Sequence, residues 1–363
     1  MMRKILVVFG TRPEAIKMCP VIHALKSLGG CVKVCITGQH GDMLNEILDI
    51  FHIVPDYDLK IMKPNQSLFD ITVNILQKIE IILKSELPDI VLVHGDTSTA
   101  FSSALACFYL KIPVGHVEAG LRTGEIYSPF PEEFNRSAVS LISQYDFAPT
   151  ELAQRNLIKE GKKPEQIYVT GNTVIDTLNF TIKANYKHKE LQWSAGSRLI
   201  LMTAHRRENV GKPMENMFKG IRKILDEYPD VKIIYPIHPN PKVLTIANKI
   251  FQNCERIHLI NPLDVVSFHN FMARSYFILT DSGGIQEEAP SLGKPVLIMR
   301  NSTERPEGLN TGILRLVGTD SESVYHGCKT LLDDKNKYAR ISQKTNLYGN
   351  GNASEKIAQI LLT

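Results

Sequence analysis

The stretch Ser275–Glu307, SYFILTDSGGIQEEAPSLGKPVLIMRNSTERPE, holds a complete strand–turn–helix–strand pattern, and the rest of the chain reads outward from it. Ser275–Leu279 is an apolar run with the look of a buried strand, and Pro295–Met299 is a second. Between them Ser282, Gly283 and Gly284 open a helix and leave bare backbone N–H groups at its start. A helix N-terminus carries roughly half a positive charge and several orphan donors, a seat for a phosphate or diphosphate. Glu287 and Glu288 follow within one turn, where a carboxylate accepts hydrogen bonds from sugar hydroxyls. Arg300 and Arg305 are cations available to the same anion. Seat, acceptors and cations together point to a nucleotide ligand. The bland alternative is a glycine pair that only tightens a turn.

The same alternation runs through the whole chain. Strand candidates are Ile5–Phe9, Val32–Thr37, Ile90–His94, Val114–Val117, Ile167–Thr170, Leu199–Thr203, Lys232–Pro236, Ile257–Ile260, Phe277–Thr280 and Pro295–Met299. Helical patterns lie between them, as in Ser67–Glu86, where Leu68, Ile71, Ile75, Ile79 and Ile82 share one face. Near-continuously apolar strands alternating with helices predict parallel sheets covered on both faces. A length of 363 residues suits two domains. The polar stretch Lys183–Ser197 is the best break between them. The expected fold class is α/β, with two Rossmann-like domains facing a central cleft.

Composition narrows the partners. A net charge of +4 is small for this length, and no basic cluster appears, which argues against nucleic acid. No apolar run reaches the roughly 18–20 residues that span a bilayer, so no membrane partner is expected. The start, Met1–Ile5, lacks a signal peptide's apolar length, and the six cysteines are scattered. These features predict reduced thiols, a cytoplasmic location and no metal site.

Polar motifs cluster where strands end: Gly10–Glu14, Gly38–His40, His94–Asp96, Glu118–Arg122, His205–Glu208, His238–Pro239 and Asp281–Ser282. Strand carboxyl ends form the ligand edge of an open parallel sheet. Arg12 and Lys17 are anion-binding candidates; the alternative is that they solvate a turn. Asp96 is either functional or the N-cap of a following helix. Glu118 lies in an apolar context, where an unpaired carboxylate is costly. Glu132 and Glu133 sit in a first helical turn, which the helix dipole also favours. His205, bracketed by Arg206, Arg207 and Glu208, resembles a titratable anion clamp, whereas His116, His238 and His269 read as structural. Carboxylates with a diphosphate seat indicate acid–base work on a nucleotide sugar. Residue types alone leave glycosyl transfer, hydrolysis and isomerisation open.

The segments FGTRPEAIKM (Phe9–Met18), VLVHGDTSTA (Val91–Ala100), PVGHVEAGLRTG (Pro113–Gly124), SPFPEEFNR (Ser128–Arg136), TGNTVID (Thr170–Asp176), TAHRREN (Thr203–Asn209) and LTDSGGIQEEAPSLGKPV (Leu279–Val296) carry a resemblance. In this order they resemble the bacterial non-hydrolysing UDP-N-acetylglucosamine 2-epimerases over nearly the full length. The resemblance implies a GT-B fold whose last helix, about Ser354–Leu362, crosses back to the first domain. Its limits would be residues 1–172 with 352–363, and 173–351. It implies reversible conversion of UDP-GlcNAc to UDP-ManNAc without cofactor, through elimination of UDP and a 2-acetamidoglucal, in a homodimer supplying surface polysaccharide. A hydrolysing relative releasing UDP and free ManNAc, or a GT-B glycosyltransferase, are the alternatives.

Carried over by motif, Asp96, Glu118, Glu132 and His205 match the family's acid–base residues. Arg12, Lys17, Ser282, Gly283, Gly284 and Arg305 match diphosphate and sugar contacts, Glu288 the ribose carboxylate, and Phe268 a uracil-side contact. Gln39 and His40 match part of an activator site that binds a second UDP-GlcNAc. Asp42 stands where that site usually has Gln or Glu, and Asn65 where it has Arg. These departures predict weakened activation.

Overall fold

In the computed structural model the chain divides into two α/β units, Met1–Phe180 with Tyr348–Thr363, and Thr181–Leu347. The structure describes residues 3–38, 41–303 and 305–363, and the side chains of all of these except 41–43 and 207. Gln39 and His40 lie outside the described residues, as does the side chain of Asp42.

The first unit is a seven-stranded sheet of β1 (Lys4–Phe9), β2 (Cys31–Ile36), β3 (Tyr57–Asp58), β4 (Ile90–His94), β5 (Val114–Val117), β6 (Tyr145–Ala148) and β7 (Ile167–Val169). Its order is β3-β2-β1-β4-β5-β6-β7, and every pairing is parallel. Leu6, Val8, Val91 and Val93 pack with Ile75, Ile79 and Ile82 of the Leu68–Glu86 helix. The helix starts where its sequence caps it, since Ser67 and Asp70 form a reciprocal capping box. Leu68, at the helix start, stays exposed.

The second unit is a six-stranded parallel sheet of β8 (Arg198–Thr203), β9 (Val231–Pro236), β10 (Ile257–Ile260), β11 (Phe277–Thr280), β12 (Val296–Ile298) and β13 (Leu314–Leu316), in the order β10-β9-β8-β11-β12-β13. Met214, Phe218, Ile221 and Leu225 of the Lys212–Glu227 helix bury against Ile200, Met202, Ile233 and Tyr235.

All ten anticipated strands form, within a residue or so at each end. β3, β6 and β13 were not anticipated. β6 carries a fully buried Asp146, and β13 alternates Leu-Arg-Leu, so neither presents an apolar run. β3 is only two residues long at a sheet edge.

The units change at 180/181 and 347/348 rather than at 172/173 and 351/352. Hydrogen bonds account for the difference. Thr177 Oγ1 donates to Ile16 O at 2.5 Å, and Asn172 N to Tyr348 O at 2.7 Å. Both tie the Thr173–Thr181 helix and residue 348 to the first unit. The C-terminal helix Ala353–Leu362 also belongs there, packed on the Arg12–Ser27 helix. Asp176 accepts from Ser354 N at 2.7 Å and Ala353 N at 3.2 Å, which caps it. Among the described residues no helix is long and apolar enough to cross a membrane.

Strand order reverses between β1 and β4 in the first unit and between β8 and β11 in the second. Ligands of open α/β sheets bind at the carboxyl ends beside such points. The polar motifs stand at both.

Candidate functional site

In the first unit, β1 runs into Gly10, and Thr11 caps the Arg12–Ser27 helix in a capping box with Glu14. Arg12 and Lys17 are half-buried on that helix. β4 ends at His94, Gly95 turns the chain with φ +64°, and Asp96 follows. Thr97, not Asp96, caps the Ser98–Tyr109 helix. The capping alternative for Asp96 therefore does not apply. Its carboxylate instead pairs with the Arg136 guanidinium, and Asn135 Nδ2 donates to its carbonyl at 2.9 Å.

Glu118, just past β5, has φ +63°, a left-handed conformation that costs a residue with a Cβ about 1–2 kcal/mol. The surroundings hold it there. Arg136 Nη1 donates to its carbonyl, Asn172 Nδ2 donates to Oε2 at 3.1 Å, and Lys17 Nζ pairs with the same oxygen. Arg136 Nη2 lies 3.4 Å from Oε1, and His94 Nε2 lies 3.7 Å from Oε2. Burial alone would raise the Glu118 carboxyl, but the Lys17 ammonium and the Arg136 guanidinium outweigh it and hold it well below the usual carboxylate range. Burial pushes His94 down to about 3, so its ring is neutral near pH 7. The product is a buried, ionised carboxylate with an ionic partner on each side.

Glu132 is the first residue of the Glu132–Ile142 helix and is half-buried. Its neighbour Glu133 is buried and accepts from Thr123 N and Gly124 N at 3.1 Å, fastening the preceding loop. Glu133 is thereby committed to structure, while Glu132 is left on the half-exposed side.

Glu14 is a second buried carboxylate, accepting from Gly10 N (3.0 Å), Thr11 N (2.8 Å) and Thr97 Oγ1 (2.8 Å). Burial pushes it up to about 7 despite these donors. The folded state thus binds a proton near pH 7 that the unfolded chain binds only near its ordinary 4.5. Stability from this source is fully present below the unfolded value and is lost as pH rises through the folded one, about 3 kcal/mol in all. Glu14→Gln stays neutral throughout. Its stability relative to the parent should therefore rise by about 3 kcal/mol between about pH 4.5 and 8 in urea titrations. An unchanging difference would show that Glu14 does not titrate in this window.

In the second unit, β8 leads into Ala204 and His205, and β11 into Asp281. Asp281 is fully buried and accepts from His205 N (3.0 Å), Arg206 N (2.9 Å) and Asn209 Nδ2 (3.1 Å). His205 Nδ1 lies 3.3 Å from the same carboxylate, and the ring is exposed beside His238, with centroids 6.1 Å apart.

Ser282 is the N-cap of the Gly283–Ser291 helix, yet its side chain makes no capping bond. Neither glycine has a positive φ. A Cβ on Gly283 would come no closer than 3.8 Å to Arg206 Nη2, and one on Gly284 no closer than 3.9 Å to Glu288 Oε1. Among the described residues neither a positive φ nor a close packing neighbour requires this glycine pair, and the turn-tightening alternative loses its basis.

Glu287, grouped with Glu288 in the sequence, is buried and accepts from Arg305 Nε at 2.5 Å. It serves to anchor Arg305 rather than to meet a hydroxyl. Glu288 keeps a partly exposed carboxylate 3.5 Å from His269 Nε2, whose Nδ1 meets Thr181 Oγ1 at 2.8 Å. Phe268 is half-buried on the Val265–Arg274 helix.

The first unit thus brings together Lys17, Asp96 and Glu118, with Arg12 and Glu132 on the same strand-end edge. The second gathers His205, Ser282, Gly283, Gly284, Glu288 and Arg305 around the ends of β8 and β11. Sequence reasoning placed Arg136, Asn172 and Asp281 within its motifs but gave none of them a role. Arg136 had a signal, because it stands four residues after Glu132 and so shares its helix face. Asn65 has φ +56° in an exposed turn, a conformation Asn adopts more readily than Arg. Its presence there has a local backbone reason.

Two doubly wound parallel sheets, each with its polar residues at the switch point, define an α/β protein of the GT-B type. A family model described as UDP-N-acetylglucosamine 2-epimerase matches residues 24–362. The UDP-N-acetylglucosamine 2-epimerase of Bacillus subtilis is 55% identical, over 99% of this chain and 95% of its own. Among solved structures, S. aureus MnaA in complex with UDP gives a TM-score of 0.91 at 50% identity, over 98% of this chain and 95% of its own. The UDP-GlcNAc 2-epimerase of Neisseria meningitidis bound to UDP-GlcNAc gives 0.90 at 46% identity, over 99% of both chains. The chain belongs to the UDP-N-acetylglucosamine 2-epimerase family.

Proposed function

We propose that the protein reversibly epimerises UDP-N-acetylglucosamine at C2 to UDP-N-acetylmannosamine by anti elimination and re-addition of UDP, releasing no free sugar. The observation that carries this reading is the pair of carboxylates, Asp96 and Glu118, held as one group by Arg136 and Lys17. The C2 proton has no adjacent carbonyl, so its removal depends on departure of the diphosphate. Cations and a bare helix N-terminus stabilise that leaving charge. Ser282, Gly283, Gly284, Arg305, Arg12 and Lys17 take this role, Glu288 holds the ribose and Phe268 borders the uracil. Solved relatives that hold UDP and UDP-GlcNAc support this choice of nucleotide.

The step balances without added reagents. The C2–H bond breaks and its proton passes to a carboxylate, the C1–O bond breaks with its electron pair leaving on UDP, and a C1=C2 bond forms. The intermediate is a 2-acetamidoglucal. A proton then returns to the other face of C2 as a UDP oxygen re-attacks C1. Asp96 and Glu118 stand nearest the C2 proton, with Glu132 and His205 completing the acid–base set. The product supplies ManNAc-type sugars for surface polysaccharide, and the active form is a homodimer.

Asp96→Asn is expected to lose C2 deuteration of UDP-GlcNAc in deuterated water by about 100-fold or more. Full epimerisation with full exchange would remove Asp96 from the acid–base set.

A further inference from the structure

We infer that Arg136 is the positioning residue of the acid–base group: one guanidinium spans Asp96 and Glu118 and sets the geometry of both before the C2 proton is taken. The inference rests on the function proposed above and assigns it a residue that the family motifs left without a role. Three contacts carry it. Arg136 Nη2 pairs with the Asp96 carboxylate and lies 3.4 Å from Glu118 Oε1, while Nη1 donates to the Glu118 carbonyl. One planar fork therefore joins the end of β4, the end of β5 and the Glu132–Ile142 helix. Lysine, a point charge with a single nitrogen, lacks the fork by which Nη1 and Nη2 reach different acceptors.

Burial makes this placement consequential. The Arg136 side chain is 7% exposed, as is that of Glu118, so their interaction is poorly screened by water. The Glu118 backbone is left-handed, and the Arg136 bond to its carbonyl holds the turn that aims the carboxylate. Gly95 takes the neighbouring turn with φ +64°, and its Cα faces the same pair: a Cβ there would make ordinary contact with Glu118 Oε1 at 3.7 Å and Arg136 Nη2 at 4.0 Å. Arg136 reaches the group from the helix whose first residue is Glu132, so one rigid element positions both.

The charge role follows from the reaction. Each half-cycle moves one proton onto or off this set of carboxylates. A guanidinium in contact with two of them stays paired with whichever remains ionised. Other groups facing Glu118 include Lys17 from the Arg12–Ser27 helix, neutral His94 from β4 and the Asn172 amide. Lys17 pairs with Glu118, and the Arg136 guanidinium contacts both carboxylates.

The test compares Arg136→Met and Arg136→Lys in the full chain, by kcat, KM and the pH profile of kcat/KM with UDP-GlcNAc. A carboxylate base must be ionised, and removing its cation raises its pKa, so the acid limb moves to higher pH. Arg136→Met should lower kcat about 100-fold or more, keep KM within about threefold, and move the acid limb up by about one pH unit. Arg136→Lys should recover about tenfold of that rate and bring the limb part of the way back. Should the Met variant fail to fold, the Lys variant decides, since its limb must lie above that of the parent. An acid limb at the parent position in every folded variant overturns the inference. Glu118→Gln measured alongside separates the two layers. Retained C2 exchange in that variant would overturn the acid–base assignment itself. Lost exchange there, with unshifted limbs in the Arg136 variants, would overturn the bridge alone.

Discussion

Glu118→Gln is expected to lower kcat for epimerisation by about 10³-fold or more while leaving UDP affinity within about threefold. Glutamine fills the same space and keeps one oxygen for the Lys17 and Asn172 donors, and the Arg136 bond to the 118 carbonyl is untouched, so the left-handed turn at 118 can persist. What it lacks is basicity. Glu118 is held ionised by buried cations, which supplies a carboxylate ready to accept a proton at neutral pH and below. Loss of that charge also leaves Lys17 and Arg136 with fewer anions in a buried setting. A fall in stability of about 1–3 kcal/mol should accompany the loss of rate. Single-turnover kinetics and calorimetric titration of UDP separate the effects. An unchanged kcat would remove Glu118 from the chemistry, and a matching loss of UDP affinity would make it a binding residue.

Asp281→Ala should lower the stability of the folded chain by about 3–5 kcal/mol and abolish UDP binding with it. Asp281 is fully buried and accepts from two backbone N–H groups and one amide, with the His205 ring beside it. Alanine leaves those donors without their carboxylate, and they include the segment that carries His205 and Arg206 against the first turn of the Gly283–Ser291 helix. Asp281→Asn keeps one acceptor oxygen and should lose roughly half as much. Urea midpoints for both variants give the comparison. A loss below about 1 kcal/mol for the alanine variant would show that the segment is held by other contacts.

The architecture was legible because parallel strands buried on both faces read as apolar runs, and helices between them keep a helical period. β1, β4, β5, β8 and β11 were plain for that reason. β6 was hidden because its core position is a charged residue, Asp146, whose charge is met by Lys162 Nζ at 2.9 Å, with His116 beside it and Ser143 Oγ donating at 2.7 Å. No local pattern announces a pair sixteen residues apart. The unit boundary shifted for a similar reason, since the bonds that tie 173–180 to the first unit come from Ile16 and the C-terminal helix.

The sequence placed Asp96, Glu118, His205 and Ser282 just past strand ends, and the structure sets them there. Their supports were illegible, because Arg136, Asn172 and Asp281 act through contacts with residues distant in the chain. The same contacts decided local ambiguities. Thr97 took the capping role that Asp96 could have had, Glu133 took the loop and left Glu132, and Glu287 took Arg305 and left Glu288. In the two glutamate pairs the fold buries one member in a structural contact and leaves its neighbour half-exposed.

In the proposed mechanism UDP departs and returns within one catalytic cycle. Incubating the full chain with UDP-GlcNAc in deuterated water and following the mixture by proton NMR tests this. UDP-GlcNAc and UDP-ManNAc should appear together, both deuterated at C2, with no build-up of free sugar. UDP and free ManNAc formed in equal amounts, or a product that keeps its C2 proton, would contradict it.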